Sequence, residues 1–278
     1  MKILIADPAK NITVFVLDPV ESPPGRAALA RAILAEKSIG AEQVGFVVPG
    51  AAFPNTAAGP GLWRLEMAGG EFCGNAARSF GFYVAMVLGL KGKTTLFVSV
   101  SGADGPVRVE VDAEKSRASA EMPKPLAVKT LDYEGRALPV LIFEGITHII
   151  APDLEAKSET FYAIKSLAER EFFSPNGLLE KALPSAVGVM FYDTASRFTR
   201  PAVYVRGVDS LVFESSCGSG SAALGVWLSR ELCDGVAGCL LTQPGGVIET
   251  EVTKRAGEIS AISIGGEVIL NEPREFSW

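Results

Sequence analysis

The sequence contains a single histidine, His148, and this scarcity excludes most histidine-dependent sites. A serine protease triad, a cysteine–histidine protease pair and a multi-histidine zinc site would all have to draw on that one imidazole. Four cysteines are present, but no two are spaced as Cys-x-x-Cys, so the pattern of a zinc ribbon or a thioredoxin motif is lacking. Thiols and carboxylates are therefore the leading candidates for chemistry at neutral pH, and no metal site is predicted.

Positive charge and long apolar runs are also scarce. The 26 lysines and arginines are outnumbered by 32 aspartates and glutamates, whereas binding to nucleic acid phosphates needs a surplus of basic residues. No apolar run approaches the roughly eighteen residues that cross a bilayer, and Asp7 interrupts the short apolar stretch at the N-terminus. We expect a cytoplasmic protein that binds neither nucleic acid nor a membrane.

Most of the chain consists of short alternating or β-branched runs that are typical of strands. The predicted strands are Ile12–Leu17, Gln43–Val48, Thr95–Val100, Val107–Val111, Leu138–Phe143, Val187–Tyr192, Ala202–Val205, Val247–Val252 and Ile259–Ile264. Helical patterns predict four helices, at Gly25–Lys37, from Cys73 to about Leu90, at Glu159–Phe173, and from Cys217 to about Leu232. This mixture of elements predicts an α+β fold.

An internal repeat places two of the cysteines in equivalent positions. The segments Phe72-Cys-Gly-Asn-Ala-Ala-Arg-Ser-Phe-Gly81 and Ser216-Cys-Gly-Ser-Gly-Ser-Ala-Ala-Leu-Gly225 align at a constant offset of 144 residues. The cysteine, the next glycine and the glycine eight residues after the cysteine coincide. A strand-like segment precedes each cysteine (Leu65–Met67 and Leu211–Phe213) and an apolar run follows it, so each cysteine is predicted at the start of a helix.

The repeat also predicts two similar halves. The Pro-containing segment Glu121–Leu126 is the best candidate for a hinge between them. We predict one domain at residues 1–122, joined by the C-terminal strand at 265–278, and a second domain at residues 123–264.

Two cysteines at helix N-termini make a specific kind of chemistry possible. The free amides and the dipole of a helix N-terminus stabilise anions, so they lower the pKa of a thiol and can hold a carboxylate. If two such sites faced a common cleft, one thiolate would remove a Cα proton while the opposite thiol delivered a proton to the other face. The expected result is inversion of a stereocentre, with the two thiols titrating as a coupled pair.

The residues around both cysteines resemble a known superfamily. Met67-Ala-Gly-Gly-Glu-Phe-Cys-Gly-Asn-Ala76 and Glu214-Ser-Ser-Cys-Gly-Ser-Gly220 are similar to the paired cysteine motifs of the diaminopimelate epimerase superfamily, the pyridoxal-phosphate-independent amino-acid racemases and epimerases. The resemblance implies two pseudo-symmetric domains, each a curved, barrel-like sheet around a central helix, with the active site in the cleft between them. It also implies a homodimer, a small amino-acid substrate and no cofactor.

The substrate prediction comes from differences within that superfamily. Where diaminopimelate epimerases have His-Gly-x-Gly-Asn-Asp, this chain has Ala9-Lys-Asn-Ile-Thr13, and their ligands for the distal head group of the substrate are lost. Other segments, including Glu42-Gln-Val-Gly-Phe46 and Gln243-Pro-Gly-Gly246, resemble the histidine racemases that supply D-histidine for staphylopine-type metallophores. The resemblance therefore implies conversion of L-histidine to D-histidine.

Candidate site residues follow from the motifs. Cys73 and Cys217 are the predicted catalytic pair. Backbone amides are expected to bind the substrate carboxylate at Gly74, Asn75, Gly218 and Ser219. Asn11 and Gln43 match polar ligands of the superfamily pocket, and each could equally be a satisfied loop amide.

Two further residues are supporting candidates with open alternatives. Glu42 could bind the substrate ammonium or side chain, or it could be a solvated charge at the end of a strand. His148 matches the superfamily histidine near a catalytic cysteine, or it could be a core residue that hydrogen-bonds the backbone. Cys233 and Cys239 are interpreted as buried packing residues without a chemical role.

Other functions stay open at this point. The chain could racemise another amino acid, such as diaminopimelate, or several of them. It could be a related isomerase that moves a double bond or acts on proline derivatives, although the presence of both cysteines disfavours this. A non-catalytic module that binds an amino acid would use the same cleft without proton transfer.

Overall fold

The computed structural model describes residues 1–51, 62–173 and 183–278. The chain divides into two compact units: unit 1 comprises Met1–Met122 and Ser263–Trp278, and unit 2 comprises Pro123–Ile262. Each unit combines a sheet with helices, which confirms the predicted α+β class. Within the described ranges, no helix is long and apolar enough to cross a membrane.

Unit 1 begins with seven strands and two helices. In chain order they are β1 (Lys2–Asp7), β2 (Thr13–Val16), α1 (Pro23–Ala35), β3 (Gln43–Ala51), β4 (Leu62–Met67), α2 (Gly74–Val87), β5 (Lys93–Val100), β6 (Val107–Asp112) and β7 (Arg117–Glu121). The strands pair in the order β7-β6-β5-β4-β3-β2-β1. The pairs β2/β3 and β4/β5 are parallel, and their crossovers contain α1 and α2 respectively, because parallel neighbours need a long connection.

Unit 2 contains two helices and a second sheet. Its elements are β8 (Ala127–Tyr133), β9 (Arg136–Ile142), β10 (Ile146–Pro152), α3 (Ser158–Phe172), β11 (Ala186–Tyr192), β12 (Thr199–Val205), β13 (Ser210–Phe213), α4 (Gly218–Leu228), β14 (Gly235–Gln243) and β15 (Gly246–Arg255). The sheet order is β13-β12-β11-β10-β9-β8, and its parallel pair β10/β11 encloses α3. Strands β14 and β15 form an antiparallel hairpin.

The last strands return the chain to unit 1. They are β16 (Glu258–Glu267), β17 (Ile269–Leu270) and β18 (Arg274–Glu275). The end of β16, Ser263–Glu267, pairs with β7, and both β17 and β18 pair with β1. The C-terminal segment therefore belongs to the same sheet as the N-terminal strand.

The helices that follow the two cysteines are buried in the cores of their units. Helix α2 buries residues on every side, including Phe80, which meets Phe15 of β2 edge to face at 5.8 Å between ring centroids. Helix α4 is buried from Gly218 to Val226, apart from the partly exposed Ser219. Apolar residues all round a helix are expected where it fills a core.

The glycine that recurs eight residues after each cysteine permits this burial. A Cβ atom added to Gly81 would lie 2.5 Å from Cγ1 of Val109, and one added to Gly225 would lie 2.8 Å from Oγ1 of Thr250. Both distances are shorter than normal contacts, so the repeated glycines allow each helix to pack closely against a strand.

The four predicted helices are confirmed, with small shifts at their ends. Helix α1 starts two residues earlier than predicted because Ser22 caps it and two prolines occupy its first turn. Helix α2 ends at Val87, before the left-handed Gly89, whose amide bonds to the carbonyl of Met86.

The interpretation of Cys233 as buried is wrong, because this residue is exposed in the loop between α4 and β14.

Candidate functional site

Cys73 and Cys217 are the N-cap residues of α2 and α4, in nearly identical backbone conformations. Their φ/ψ angles are −126°/116° and −126°/112° respectively. The N-cap position places each side chain beside the free amides of the first helical turn. The repeat in the sequence is therefore a repeat in local geometry.

The thiol of Cys73 receives hydrogen bonds from several donors in unit 1. The amide of Ala76 donates to its Sγ at 3.4 Å, and the side chain of Gln43 is a further donor. Burial nevertheless raises the pKa of Cys73 to about 11, because desolvation outweighs these donors. The Oε1 atom of Gln43 is buried and has no hydrogen-bond partner in residues 1–51, 62–173 and 183–278, so it is an open acceptor beside the thiol.

A chain of hydrogen bonds leads from α2 to Glu42, the residue just before the start of β3. Asn75 donates through Nδ2 to Oδ1 of Asn11 at 3.2 Å, and Asn11 donates through Nδ2 to Oε2 of Glu42 at 2.6 Å. Both asparagine side chains are buried. Glu42 is an exposed residue just before β3, as expected of a charge at the end of a strand, but the partial burial of its carboxylate raises its pKa, while the bond from Asn11 lowers it.

The turn before Asn11 is strained. Ala9 and Lys10 both have left-handed backbone conformations, with φ angles of 63° and 61°. The carboxylate of Asp7 holds this turn by accepting the Lys10 amide at 2.6 Å and the Lys10 ammonium at 2.7 Å. Non-glycine residues in this conformation are concentrated at functional sites, where surrounding contacts compensate for the strain.

In unit 2, Gln243 holds the start of α4. Its Oε1 accepts the amide of Cys217 at 2.9 Å, and its Nε2 donates to the hydroxyl of Ser221 at 2.7 Å. That hydroxyl in turn donates to the carbonyl of Cys217 at 2.6 Å. Gln243 thus fixes the backbone on both sides of the Cys217 side chain.

The thiol of Cys217 is connected to His148 through a serine. Sγ of Cys217 lies 3.7 Å from Oγ of Ser219, and that oxygen lies 2.9 Å from Nε2 of His148. His148 is fully buried on β10 beside Gly188, where a Cβ atom would lie 2.3 Å from Nδ1 of the ring. Burial lowers the pKa of His148 to about 3, so the imidazole is neutral at physiological pH.

Cys217 is less solvated than Cys73 and has an acidic neighbour. Burial and the nearby carboxylate of Glu214 both raise its pKa well above the ordinary value of a thiol. The Gly220 amide and the Ser219 hydroxyl oppose this effect. Both thiols are consequently protonated in most molecules at neutral pH.

The structure groups the candidate residues into two clusters, one within each unit, and each cluster is called the half-site of its unit. The unit 1 half-site contains Cys73, Gly74, Asn75, Asn11, Gln43 and Glu42, and the unit 2 half-site contains Cys217, Gly218, Ser219 and His148. Gly74 has no room for a side chain, because a Cβ atom would lie 2.8 Å from Cδ1 of Ile264. In the part of the chain that the structure describes, no group of three His, Cys, Asp or Glu residues is arranged to bind a metal.

Two residues of these half-sites were not identified from the sequence. Gln243 was noted only as part of a similar segment, and nothing local indicated that it would contact Cys217. Arg78 was noted only within the repeat, but it is the one charged residue of α2 and it donates to Asn75 at 3.1 Å. A single charge within an otherwise apolar helix was the signal that could have identified it.

Titration of the only histidine tests the neutral state of His148. We expect its ring carbon resonances to stay constant between about pH 5 and pH 9 in the folded protein, because desolvation disfavours the imidazolium. Below about pH 6.5 the unfolded chain takes up a proton that the folded chain does not, so the free energy of unfolding should fall as the pH decreases towards 3, by up to about 1.4 kcal/mol per pH unit. A His148→Gln variant should lack this contribution. A ring that titrates near pH 6.5 in the folded protein would contradict the assignment.

Comparisons with known proteins assign the family. The profile of the family described as "histidine racemase CntK N-terminal domain" matches residues 2–272. A histidine racemase of Fusobacterium nucleatum is 31% identical over 252 residues, which cover 87% of this chain and 85% of that protein. A histidine racemase of Staphylococcus aureus is 27% identical over 268 residues, covering 94% and 92%.

A solved structure shows the same fold at low sequence identity. The crystal structure of a probable proline racemase from Agrobacterium radiobacter, with bound carbonate, superposes with a TM-score of 0.66 at 15% identity and covers 99% of this chain and 92% of that one. The family profile and the two relatives identify the chain as an isomerase that acts as an amino-acid racemase, and as a member of the histidine racemase family.

Proposed function

We propose that the protein racemises histidine by transferring protons at Cα between two thiols, Cys73 and Cys217, without a cofactor. The observation that supports this most strongly is the equivalent placement of the two cysteines, each an N-cap residue with the same backbone conformation. A mechanism that accepts either enantiomer needs two groups that exchange the roles of acid and base, and a pair of equivalent thiols meets that requirement.

The substrate carboxylate is bound by helix N-terminal amides in this proposal. Amides at Gly74 and Asn75 in unit 1, and at Gly218 and Ser219 in unit 2, lie in first helical turns, where no carbonyl of the same helix can accept them. Removal of the Cα proton leaves an electron pair that delocalises into the carboxylate. Donors fixed around that group stabilise the developing charge without having to reorient.

The substrate ammonium group is placed beside the unit 1 half-site. The open Oε1 of Gln43 is an acceptor next to Cys73, and one oxygen of Glu42 is oriented by Asn11. An acceptor and a carboxylate together form a suitable partner for a cation. We therefore propose that these two residues bind the ammonium group, and that Glu42 also reaches the substrate side chain.

Proton transfer starts from the minor form of the protein in which one of the two thiols is ionised, so that the pair carries one proton. A thiolate on one face of the substrate takes the Cα proton and becomes a thiol, while the thiol on the other face gives its proton to Cα and becomes a thiolate. No proton is gained or lost overall, and the product has the opposite configuration. We propose that both half-sites contact the same substrate in a cleft, and that His148, which stays neutral, orients the Ser219 hydroxyl towards Cys217.

Histidine is the proposed substrate because the similarity to histidine racemases extends over most of the chain. The sequence resemblance to the racemases of staphylopine-type metallophore synthesis supports the same use for the D-histidine formed here. On the same grounds we propose a cytoplasmic homodimer.

A substrate screen in deuterated water tests the proposed activity. With L-histidine and no added pyridoxal phosphate, we expect D-histidine that carries deuterium at Cα, because the donating thiol exchanges with solvent. Aspartate, diaminopimelate and proline serve as comparison substrates, for which we expect kcat/KM at least about tenfold lower, the effect of losing one favourable polar contact. Inversion of another of these amino acids in preference to histidine would contradict the substrate assignment.

Single cysteine variants test the roles of the two thiols. We expect Cys73→Ser and Cys217→Ser to reduce racemisation by about 10²- to 10⁴-fold, because a hydroxyl is a much weaker acid than a thiol. Each variant keeps one thiol, so each should still exchange the Cα hydrogen of one enantiomer with solvent, and the two variants should act on opposite enantiomers. Cys233→Ser, which changes an exposed thiol, is the matched control and should retain full activity. Full turnover in either active-site variant would contradict the two-thiol mechanism.

A further inference from the structure

Arg78 is a fully buried cation in unit 1. It lies on α2, one turn after Asn75, and its side chain is among the largest that are completely enclosed. Burial lowers the pKa of Arg78 to about 10, which leaves the guanidinium charged at neutral pH. Among the described residues Arg78 has no ion-pair partner, although burying an unpaired charge costs considerable free energy.

The hydrogen bonds of Arg78 connect it to the unit 1 half-site. Its Nε donates to Oδ1 of Asn75 at 3.1 Å, and one terminal nitrogen donates to the carbonyl of Glu267 at 2.9 Å. The other terminal nitrogen is buried and has no hydrogen-bond partner within the described part of the chain. The guanidinium is therefore compensated by backbone and amide dipoles.

The two ends of this hydrogen-bond chain determine its direction. A guanidinium can only donate, so the Asn75 atom that faces it must be the carbonyl oxygen. An ionised carboxylate can only accept, so the Asn11 atom that faces Glu42 must be the amide nitrogen. The remaining contact, from Nδ2 of Asn75 to Oδ1 of Asn11, then has a single possible polarity, which is the one observed.

We infer that Arg78 is a positioning residue, which orients the Asn75 and Asn11 amides and through them holds the Glu42 carboxylate in place for the substrate. Without a donor-only group at the Arg78 position, the Asn75 amide can rotate by 180° and present its nitrogen to that side. Its contact with Asn11 would then pair two oxygens, unless Asn11 also rotated and turned its oxygen towards Glu42. Each alternative removes or weakens the bond that fixes Glu42.

A purely structural role for Arg78 makes different predictions. The bond to the Glu267 carbonyl ties α2 to β16, so loss of Arg78 reduces stability under either account. Only the positioning role also changes the state of Glu42, whose carboxylate does not contact Arg78. Three influences set the pKa of Glu42. Burial and the negative charge of Asp7 on β1 raise it, and the hydrogen bond from the Asn11 amide lowers it.

The test compares Arg78→Met, which keeps an unbranched side chain but removes the donors, with Ser79→Ala as the matched control. Ser79 is the next residue of α2, and its buried hydroxyl has no hydrogen-bond partner among the residues that the structure describes, so its removal should leave both stability and kinetics close to those of the unmodified protein. For Arg78→Met we expect KM for histidine to rise about tenfold with a smaller change in kcat, the effect of losing one charge-assisted contact. Arg78→Lys keeps a donor-only charge, so its KM for histidine should rise less than that of Arg78→Met.

A double-mutant cycle and a direct titration complete the test. If Arg78 acts through Glu42, the effects of Arg78→Met and Glu42→Gln on KM should be strongly non-additive, and additive effects would overturn the inference. The pKa of Glu42, followed by carbon NMR of labelled glutamate, should rise in Arg78→Met and stay unchanged in Ser79→Ala. An unchanged Glu42 titration in Arg78→Met would show that the residue only ties α2 to β16.

The inference rests on the proposed function for its kinetic measurements only. If the protein does not racemise histidine, the proposed function fails, while the titration of Glu42 still decides whether Arg78 controls this carboxylate. If Arg78→Met does not fold, the same titration is made in Arg78→Gln, whose amide can also accept and so no longer fixes the polarity, and in Asn75→Ala, which removes the second link of the chain. An unchanged pKa of Glu42 in both would overturn the inference.

Discussion

Two opposing effects act on each of the two thiols that this protein places at a helix N-terminus, and the proposed mechanism depends on their balance. The free amides of the first turn and the helix dipole favour a thiolate, whereas removal from water favours the neutral thiol. Desolvation is the larger effect at both cysteines, and it raises the pKa of each thiol. In the proposed mechanism the same enclosure strengthens the hydrogen bonds that a developing carbanion would receive, so the protonated resting thiol and the stabilised transition state would have a common origin.

The two half-sites surround their thiols with different groups. Cys73 is contacted by donors, the Ala76 amide and the Gln43 side chain, and the adjoining amide chain ends at a carboxylate. Cys217 is contacted by a hydroxyl that bridges to a neutral imidazole. The equilibrium between enantiomers must be symmetric, but under the proposed mechanism the two directions of the reaction would begin from thiolates in different surroundings.

Much of the fold follows from local sequence patterns, and the exceptions have physical reasons. The four helices were predictable because their apolar faces and start signals are local. Strands β1 and β10 were missed because both are buried apolar runs without alternation, as expected where a strand is covered on both faces. Strand β8 was missed for the opposite reason: it is an edge strand with mostly exposed side chains and carries no apolar pattern.

In the candidate site, the features encoded by neighbouring residues were predictable, and the contacts between distant residues were not. The repeat located both cysteines and their amides because a helix start is encoded within a few residues. The contact between Ser219 and His148 joins residues 71 positions apart, and the contact between Gln243 and Cys217 joins residues 26 apart, so neither is visible in a local pattern. Arg78 is visible in the sequence as a single charge in an otherwise apolar helix, but its role follows only from its hydrogen-bond partners, which the sequence does not show.

The central claim is that two different groups exchange protons with opposite faces of Cα. It is tested most directly by following the circular dichroism of L-histidine during racemisation in deuterated water, because product that has acquired deuterium returns more slowly than unlabelled substrate reacts. A two-thiol enzyme should drive the signal through zero to the opposite sign before it decays. A signal that falls to zero without changing sign would contradict the account.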